Sequence, residues 1–379
     1  MFLLTDEQEL FRRTVREFAQ REIAPLAAHF DETEEFPAEN VRKMAALGLM
    51  GLTAPEAYGG SGAGAVEYAI AMDEIARADA AHSTILTVNV SLVTEPLGKY
   101  GTDSQKARYL PPLCDGRSVG AYCLSEPSSG SDAAHMSTRA VRANGGWKLD
   151  GTKNFITNGG VAGLYLVYAS TEPEQGAHGV TAFVVEADRP GVRAGPRESK
   201  LGIRASPTTQ MFFDGVHVPD ENVLGEAGQG FKIAMATLDG GRIGIAAQAV
   251  GIGQAALDQA CAYAKEREAF GHPIAEFQGL QWTLADMATR LEAARLLTLQ
   301  AAWLKDQQQP FSQQASMAKL FASEAAMWIT TKAVQIHGGY GYMRESAVQR
   351  YFRDAKITEI YEGTSEIQRL VISRHLLRE

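Results

Sequence analysis

Near its C-terminal end the chain reads Ile360-Tyr361-Glu362-Gly363-Thr364-Ser365-Glu366, which sets one carboxylate between bulky apolar groups and a glycine. Neighbours that strip water from a carboxylate raise its proton affinity, and an ordinary carboxylate is too weak a base for most carbon acids. Gly363 carries no side chain to block a ligand approaching the backbone. Glu362 is therefore a candidate base. On this segment alone the other reading stays open, because glutamates in turns are commonly solvated loop residues.

A second segment, Tyr122-Cys123-Leu124-Ser125-Glu126-Pro127-Ser128-Ser129-Gly130-Ser131-Asp132, joins a short apolar run to a polar turn rich in hydroxyl donors. A third runs Gln335-Ile336-His337-Gly338-Gly339-Tyr340-Gly341-Tyr342, with Glu345, Arg350 and Asp354 beyond it. Asp239-Gly240-Gly241-Arg242 interrupts a helical stretch, and adjacent glycines cost helix stability that needs a compensating reason. A ligand is one such reason, and a helix kink with a surface ion pair is the other. Arg267, inside Lys265-Glu266-Arg267-Glu268, reads by itself as a solvated charge. Gly251-Ile252-Gly253-Gln254-Ala255-Ala256 fits only the loosest dinucleotide fingerprint. It lies in an Ala-rich helical stretch with no preceding strand, so close helix contact is the better reading.

The elements that must hold these residues fall into three units. Residues 1–120 carry helical periodicity, with Leu10, Phe11, Val15 and Phe18 on one face of a first helix. Thr5-Asp6-Glu7-Gln8, directly after Leu3 and Leu4, reads as a capping box rather than a secretory apolar core. Pro37 starts a helix, Gly48 stops one, and residues 59–64 form a loop. Two helices follow, at 65–81 and 83–100, and Thr102-x-x-Gln105 opens another. Residues 121–229 form a small β-barrel or sandwich, with strands at 164–170, 180–186 and 208–213. Asn144-Gly145-Gly146, Asp150-Gly151, Asn158-Gly159-Gly160 and Asp214-Gly215 serve as its turn signals. Residues 230–379 read as an antiparallel four-helix bundle with helices at 231–268, 276–308, 312–337 and 365–377. The fold class is α+β.

Composition narrows the function. The 379 residues are 45% hydrophobic, enough for a large core, and the net charge of −9 with a pI near 5.5 argues against a nucleic-acid partner. Three separated cysteines, Cys114, Cys123 and Cys261, fit neither a disulfide framework nor a metal site. The sequence holds no uninterrupted apolar run of the ~18 residues a membrane span requires. An intracellular protein is expected, in the cytoplasm of a bacterium or as a mature mitochondrial matrix form.

The second and third segments and the Glu362 turn together resemble the acyl-CoA dehydrogenase family, most closely its short-chain (butyryl-type) members. The flavin-contacting signature of that family has the form Leu-Ser/Thr-Glu, two variable residues, a small residue and Gly-Ser-Asp, and residues 124–132 meet every position. The resemblance spans the whole chain and implies an FAD-dependent enzyme. Glu362 would take the α-proton of a short- to medium-chain acyl-CoA thioester while flavin N5 receives a hydride from the β-carbon, leaving a trans-2-enoyl-CoA, since no side chain accepts hydride. The backbone N–H of Glu362 and a ribityl hydroxyl would stabilise the thioester oxygen.

The resemblance also assigns contacts. Tyr122, Leu124, Ser125, Gly130 and Ser131 meet the flavin and pyrophosphate, with Ser131 also near CoA. Phe155, Ile156 and Thr157 form the second flavin segment, although many relatives carry Trp where this chain has Phe155. Arg267, Phe270, Gln278 and Gln335, Ile336, His337, Gly338 and Gly339 reach the FAD of a neighbouring subunit in a homotetramer built as a dimer of dimers. Thr364 and Glu366 join the cofactor group, while Asp239, Arg242, Tyr361 and Gly363 meet the substrate. An electron-transfer flavoprotein is the implied electron acceptor. An acyl-CoA oxidase of the same fold is the alternative enzyme, and a non-catalytic helical scaffold the alternative of another class.

Overall fold

The computed structural model describes residues 4–377, so Leu3 lies outside the described residues. Thr5 opens α1 (Asp6–Phe18) with the expected capping box: its N–H donates to Gln8 Oε1 at 3.1 Å and its hydroxyl accepts from Gln8 N at 3.2 Å. Val15 and Phe18 are buried, but Leu10 is 59% exposed. At about 100° per residue, Leu10 sits roughly a quarter-turn from the stripe centred on Phe11, Val15 and Phe18. It belongs to the edge of that face.

Next come α2 (Ala27–Thr33), α3 (Ala38–Ala46) behind Pro37, and α4 (Ala65–Ala78). Gly48 follows α3 in the left-handed conformation a helix stop requires, with φ 75°. The expected break at residue 82 falls earlier. Asp79, extended at φ −160°, ends α4 and caps α5 (Ala80–Thr87) by accepting from His82 N at 3.2 Å. A π-helical stretch, Val88–Thr94, runs on into α6 (Glu95–Tyr100), and the Thr102–Gln105 capping box opens α7 (Asp103–Cys114).

The middle of the chain supplies β1 (Gly120–Cys123), β2 (Arg139–Ala143), β3 (Gly146–Thr157), β4 (Leu164–Ser170), β5 (Val180–Glu186), β6 (Val192–Arg197), β7 (Thr208–Pro219) and β8 (Val223–Leu224). Their order is β6-β7-β3-β2-β4-β5-β8, with β1 parallel beside β4. A single pair, Arg139 with Ser170, joins β2 to β4, and Trp147 of β3 packs edge-on against Phe183 of β5 at 5.8 Å. The two halves of the sheet thus face one another as a sandwich. Two of the turn signals are not turns. Asp150-Gly151 and Asp214-Gly215 oppose each other across β3 and β7 as a bulge, with Gly215 N donating to Asp150 Oδ1 at 2.7 Å.

The C-terminal helices are α8 (Gly230–Glu266), α9 (Gln278–Asp306), α10 (Ser312–His337), α11 (Ala347–Ala355) and α12 (Ser365–Leu376). Between α8 and α9 a small hairpin pairs β9 (Glu268–Ala269) with β10 (His272–Pro273). α8 packs on α4, α9 and α10, and α10 packs on α12. The short turn at 307–311 makes α9 and α10 antiparallel. Helix α11 was not read from the sequence. The expected interruption at Asp239–Arg242 is absent, since α8 runs unbroken through it. Packing on several sides compensates for the propensity cost of its glycines.

Gly251 lets α8 touch α4 backbone to backbone. A Cβ there would lie 2.2 Å from Asp73 O and 2.9 Å from Ala76 Cβ. Main chain cannot yield as a side-chain tip can, so Gly251→Val should destabilise the protein by about 1–3 kcal/mol or more. Urea unfolding followed by circular dichroism measures this, with Gly279→Val, in open space at the start of α9, as the comparison.

Candidate active site

The Glu362 turn is built on backbone that only glycine adopts freely. Glu362 has φ 52° and Gly363 φ 96°. A left-handed conformation costs a non-glycine residue roughly 1–2 kcal/mol, so something must hold it. Lys319 Nζ, from α10, donates to Gly363 O at 2.7 Å. Gln368 Nε2, from α12, donates to the same carbonyl at 2.8 Å and reaches Glu362 O at 3.4 Å. Thr364 caps α12 by accepting from Ile367 N, which fixes the far side of the turn.

Across the cleft stands Gly241 of α8. A Cβ at that position would lie 2.0 Å from Glu362 Oε2, so the missing side chain is the room the carboxylate occupies. Glu362 Oε2 is buried and has no hydrogen-bond partner among the described residues. Burial pushes the carboxyl up to about 7, against the opposing charges of Lys319 and Arg242. Ile360 is 48% exposed and does not line the cleft. The apolar walls around Glu362 are Tyr361, Val88 and Leu92 of the π-helical stretch, Leu238 of α8 and Ile367 of α12. The Tyr361 hydroxyl donates to Gln248 Oε1, and Gln248 Nε2 donates to Ala80 O, Ser83 Oγ and Thr84 Oγ1 at 2.8–3.0 Å.

Tyr122, Leu124, Ser125, Gly130, Ser131, Phe155, Ile156, Thr157, Arg242, Tyr361 and Gly363 line the same cleft as Glu362. A register shift between Lys153 and Ile156 puts Phe155 at φ 56° and leaves it 67% exposed, while Ile156 is buried. Phe155 is thus no core residue. Its ring, the Tyr122 ring and the side-chain hydroxyls of Ser125, Ser131 and Thr157, which make no hydrogen bond among the described residues, suit a planar ring system with polar edges. That donor set fits a flavin.

The turn carrying Leu124 and Ser125 is held by a buried ion pair the sequence did not announce. Lys153 Nζ donates to Glu126 Oε1 at 2.9 Å and to Leu124 O at 3.0 Å, and both side chains are fully buried. Burial pushes the Glu126 carboxyl up, but the Lys153 charge and hydrogen bonds from Ser137 and Thr138 outweigh it and hold it at about 2.

Other named residues stand elsewhere. Asp239 does not line the cleft; it pairs with Arg242 and accepts from Ser312 Oγ at 2.9 Å. Arg242 is only 5% exposed, and its charge is already matched by Asp239. Arg267, Ile336, His337, Gly338 and Gly339 line a separate cavity of about 510 Å³. There the His337 ring stacks on Tyr263 at 4.2 Å and Arg267 lies over Tyr340. Phe270, 94% exposed at the tip of the β9–β10 hairpin, and exposed Gln278, Gln335 and Glu366 line neither cavity. Among the described residues no cluster of three or more His, Cys, Asp or Glu is placed to hold a metal.

Residues 5–117, 121–216 and 228–377 match in turn the N-terminal, middle and C-terminal domains of acyl-CoA dehydrogenase. The chain belongs to the acyl-CoA dehydrogenase family. It is 52% identical over 374 residues to an acyl-CoA dehydrogenase of Bacillus subtilis, covering 99% of each chain. It is 49% identical over 377 residues to a short-chain specific acyl-CoA dehydrogenase of Clostridium acetobutylicum, covering 100% of each. The structure of butyryl-CoA dehydrogenase from Megasphaera elsdenii is 45% identical and superposes with a TM-score of 0.98 over 100% of both chains. Acyl-CoA dehydrogenases are flavoproteins, in keeping with the cleft described above.

A carboxyl raised in the folded state contributes stability that is present below its unfolded value and lost as pH rises through its folded value. For Glu362 that window runs from 4.5 to about 7. Glu362→Gln is therefore expected to be the more stable protein at pH 8, by on the order of 3 kcal/mol, with the difference closing toward pH 5. Melting temperatures of the two proteins across this range check the sign.

Proposed function

We propose that this chain dehydrogenates short-chain acyl-CoA thioesters to trans-2-enoyl-CoA with non-covalently bound FAD, and that an electron-transfer flavoprotein takes up the electrons. One observation carries the reading: a buried, unpartnered carboxylate oxygen in a cleft whose other walls are the flavin-type segments. Such a carboxylate, its proton affinity raised by burial, is suited to remove a weakly acidic α-proton near neutral pH. Its own N–H makes no hydrogen bond among the described residues and is free to donate to the thioester oxygen as charge develops there. Bound FAD supplies the hydride acceptor that no side chain can be. Tyr122, Ser125, Phe155 and Thr157 would hold its ring. The short-chain assignment follows the relatives named short-chain specific and butyryl-CoA dehydrogenase. A cytoplasmic setting and domain limits at 1–120, 121–229 and 230–379 belong to the same reading.

The assembly we propose is a homotetramer in which the Arg267, Phe270, Gln278 and Gln335–Gly339 groups meet a neighbour's FAD. The placement of Arg267 and Ile336–Gly339 supports this, since they line a cavity separate from the Glu362 cleft of their own chain. Arg267→Ala should weaken FAD retention and tetramer formation together, because a cofactor bound only by the assembled state stabilises it by mass action. Sedimentation with flavin analysis decides; an intact tetramer with unchanged FAD content would remove the role.

Glu362→Gln should lower the rate of flavin reduction by at least ~10²-fold with FAD retained, and parental kcat/KM should rise with pH through the base's ionisation near 7. Since Gly241 faces Glu362, the double variant Gly241→Glu, Glu362→Gly should recover measurable activity with altered chain-length preference. Glycine also relieves the turn's positive φ. Stopped-flow reduction with butyryl-CoA and hexanoyl-CoA reads both, and parental rates in Glu362→Gln would overturn the base assignment.

A further inference from the structure

Lys319 lies on the buried stripe of α10 with Ala315, Ala318 and Ala322 and has no exposed surface. A buried ammonium is costly unless it is paired. Yet it donates to a neutral carbonyl, Gly363 O, of the residue after the base, at 2.7 Å. No carboxylate lies within ion-pair distance of it among the described residues. We propose that Lys319 is a positioning residue for the reaction: it clamps the left-handed Glu362–Gly363 turn through the main chain and sets a positive charge beside the base without occupying its proton-accepting oxygen. This rests on the reading of Glu362 as the base.

The arrangement resolves a conflict. A direct ion pair would bind the carboxylate oxygen and lower its proton affinity sharply, as Lys153 does to Glu126. With no charge nearby, burial alone would carry the carboxyl far above neutrality, and too few molecules would hold it ionised. Lys319, spending its hydrogen bond on Gly363 O, gives an intermediate field. Burial lowers its own proton affinity to about 8, opposed by Glu362, Glu359 and Glu366, so it stays mostly charged at neutral pH. The other groups facing the base are accounted for. Arg242 of α8, paired with Asp239, adds a second opposing charge that the Lys319 variants leave in place, while Tyr68 of α4, Tyr122 of β1 and Tyr361 are all held protonated by burial. Gln368 shares the clamp on Gly363 O but carries no charge.

That division supplies the test, made on the flavin-loaded enzyme. Lys319→Gln, which can still donate to Gly363 O, should move the rising limb of kcat/KM upward by about one pH unit or more, a roughly tenfold loss at pH 6.5. The rate at high pH should be largely kept. Lys319→Met should show the same shift and lose rate at all pH values. Gln368→Leu should lose rate with the limb unmoved. If both Lys319 variants keep the parental limb while Glu362→Gln is inactive, the base stands and the role of Lys319 falls. If Glu362→Gln reduces flavin at the parental rate, the reading of the base fails first. Failure of both Lys319 variants to retain flavin and quaternary structure would make Lys319 a packing residue and likewise overturn the proposal.

Discussion

The structure turns on keeping one carboxylate dry without neutralising it. An unpaired carboxylate out of water is among the least favourable groups a protein can bury, and it persists only where its surroundings leave no alternative. Here four elements enforce it. α8 leaves a gap at Gly241, α10 sends Lys319 to the turn's main chain, and α12 begins at Thr364 and returns Gln368 to the same carbonyl. Beneath them Tyr361 is pinned by Gln248, which is itself held by α5 through Ala80, Ser83 and Thr84. The N-terminal helices thus reach the base through one amide, which gives the long packed contact between α4, α5 and α8 a chemical purpose as well as a stabilising one.

Much of this was legible in the sequence, for identifiable reasons. Long helices declare themselves by period and caps, so α8, α9, α10 and α12 lie within a few residues of their expected limits. Capping boxes at Thr5 and Thr102 are local chemistry and formed as read. What failed was decided by partners distant in the chain. Asp150-Gly151 and Asp214-Gly215 carry the composition of hairpin turns, and only the pairing of β3 with β7 makes them a facing bulge. Gly240 and Gly241 are poor helix formers, yet α8 continues because helices on several sides pack on it, and the absent Gly241 side chain leaves the room that Glu362 occupies.

The site was legible in its contact residues and opaque in its supports. Motif spacing brought Tyr122, Ser125, Phe155, Thr157 and Glu362 to one cleft. Lys153, Lys319, Gln248 and Gln368 were missed, although a weak signal existed for one of them. Lys319 stands where the stripe Ala315, Ala318, Ala322 calls for an apolar residue, and a charge on such a stripe implies a buried partner. Sequence alone could not say which partner, because it is a main-chain carbonyl 44 residues away.

Comparison of the two buried lysines shows how one pair of residue types yields opposite chemistry. At Lys153 and Glu126 the ammonium touches the carboxylate at 2.9 Å, and Ser137 and Thr138 donate to its remaining lone pairs. All acceptors are then in use, the proton affinity falls to about 2, and the pair serves only to brace the Leu124–Ser125 turn. At Lys319 and Glu362 the ammonium is directed to the backbone one residue on, and the carboxylate keeps a bare oxygen with its proton affinity raised to about 7. Burial is common to both sites, so it cannot by itself make a base. The difference lies in whether hydrogen bonds reach the carboxylate or the chain that carries it.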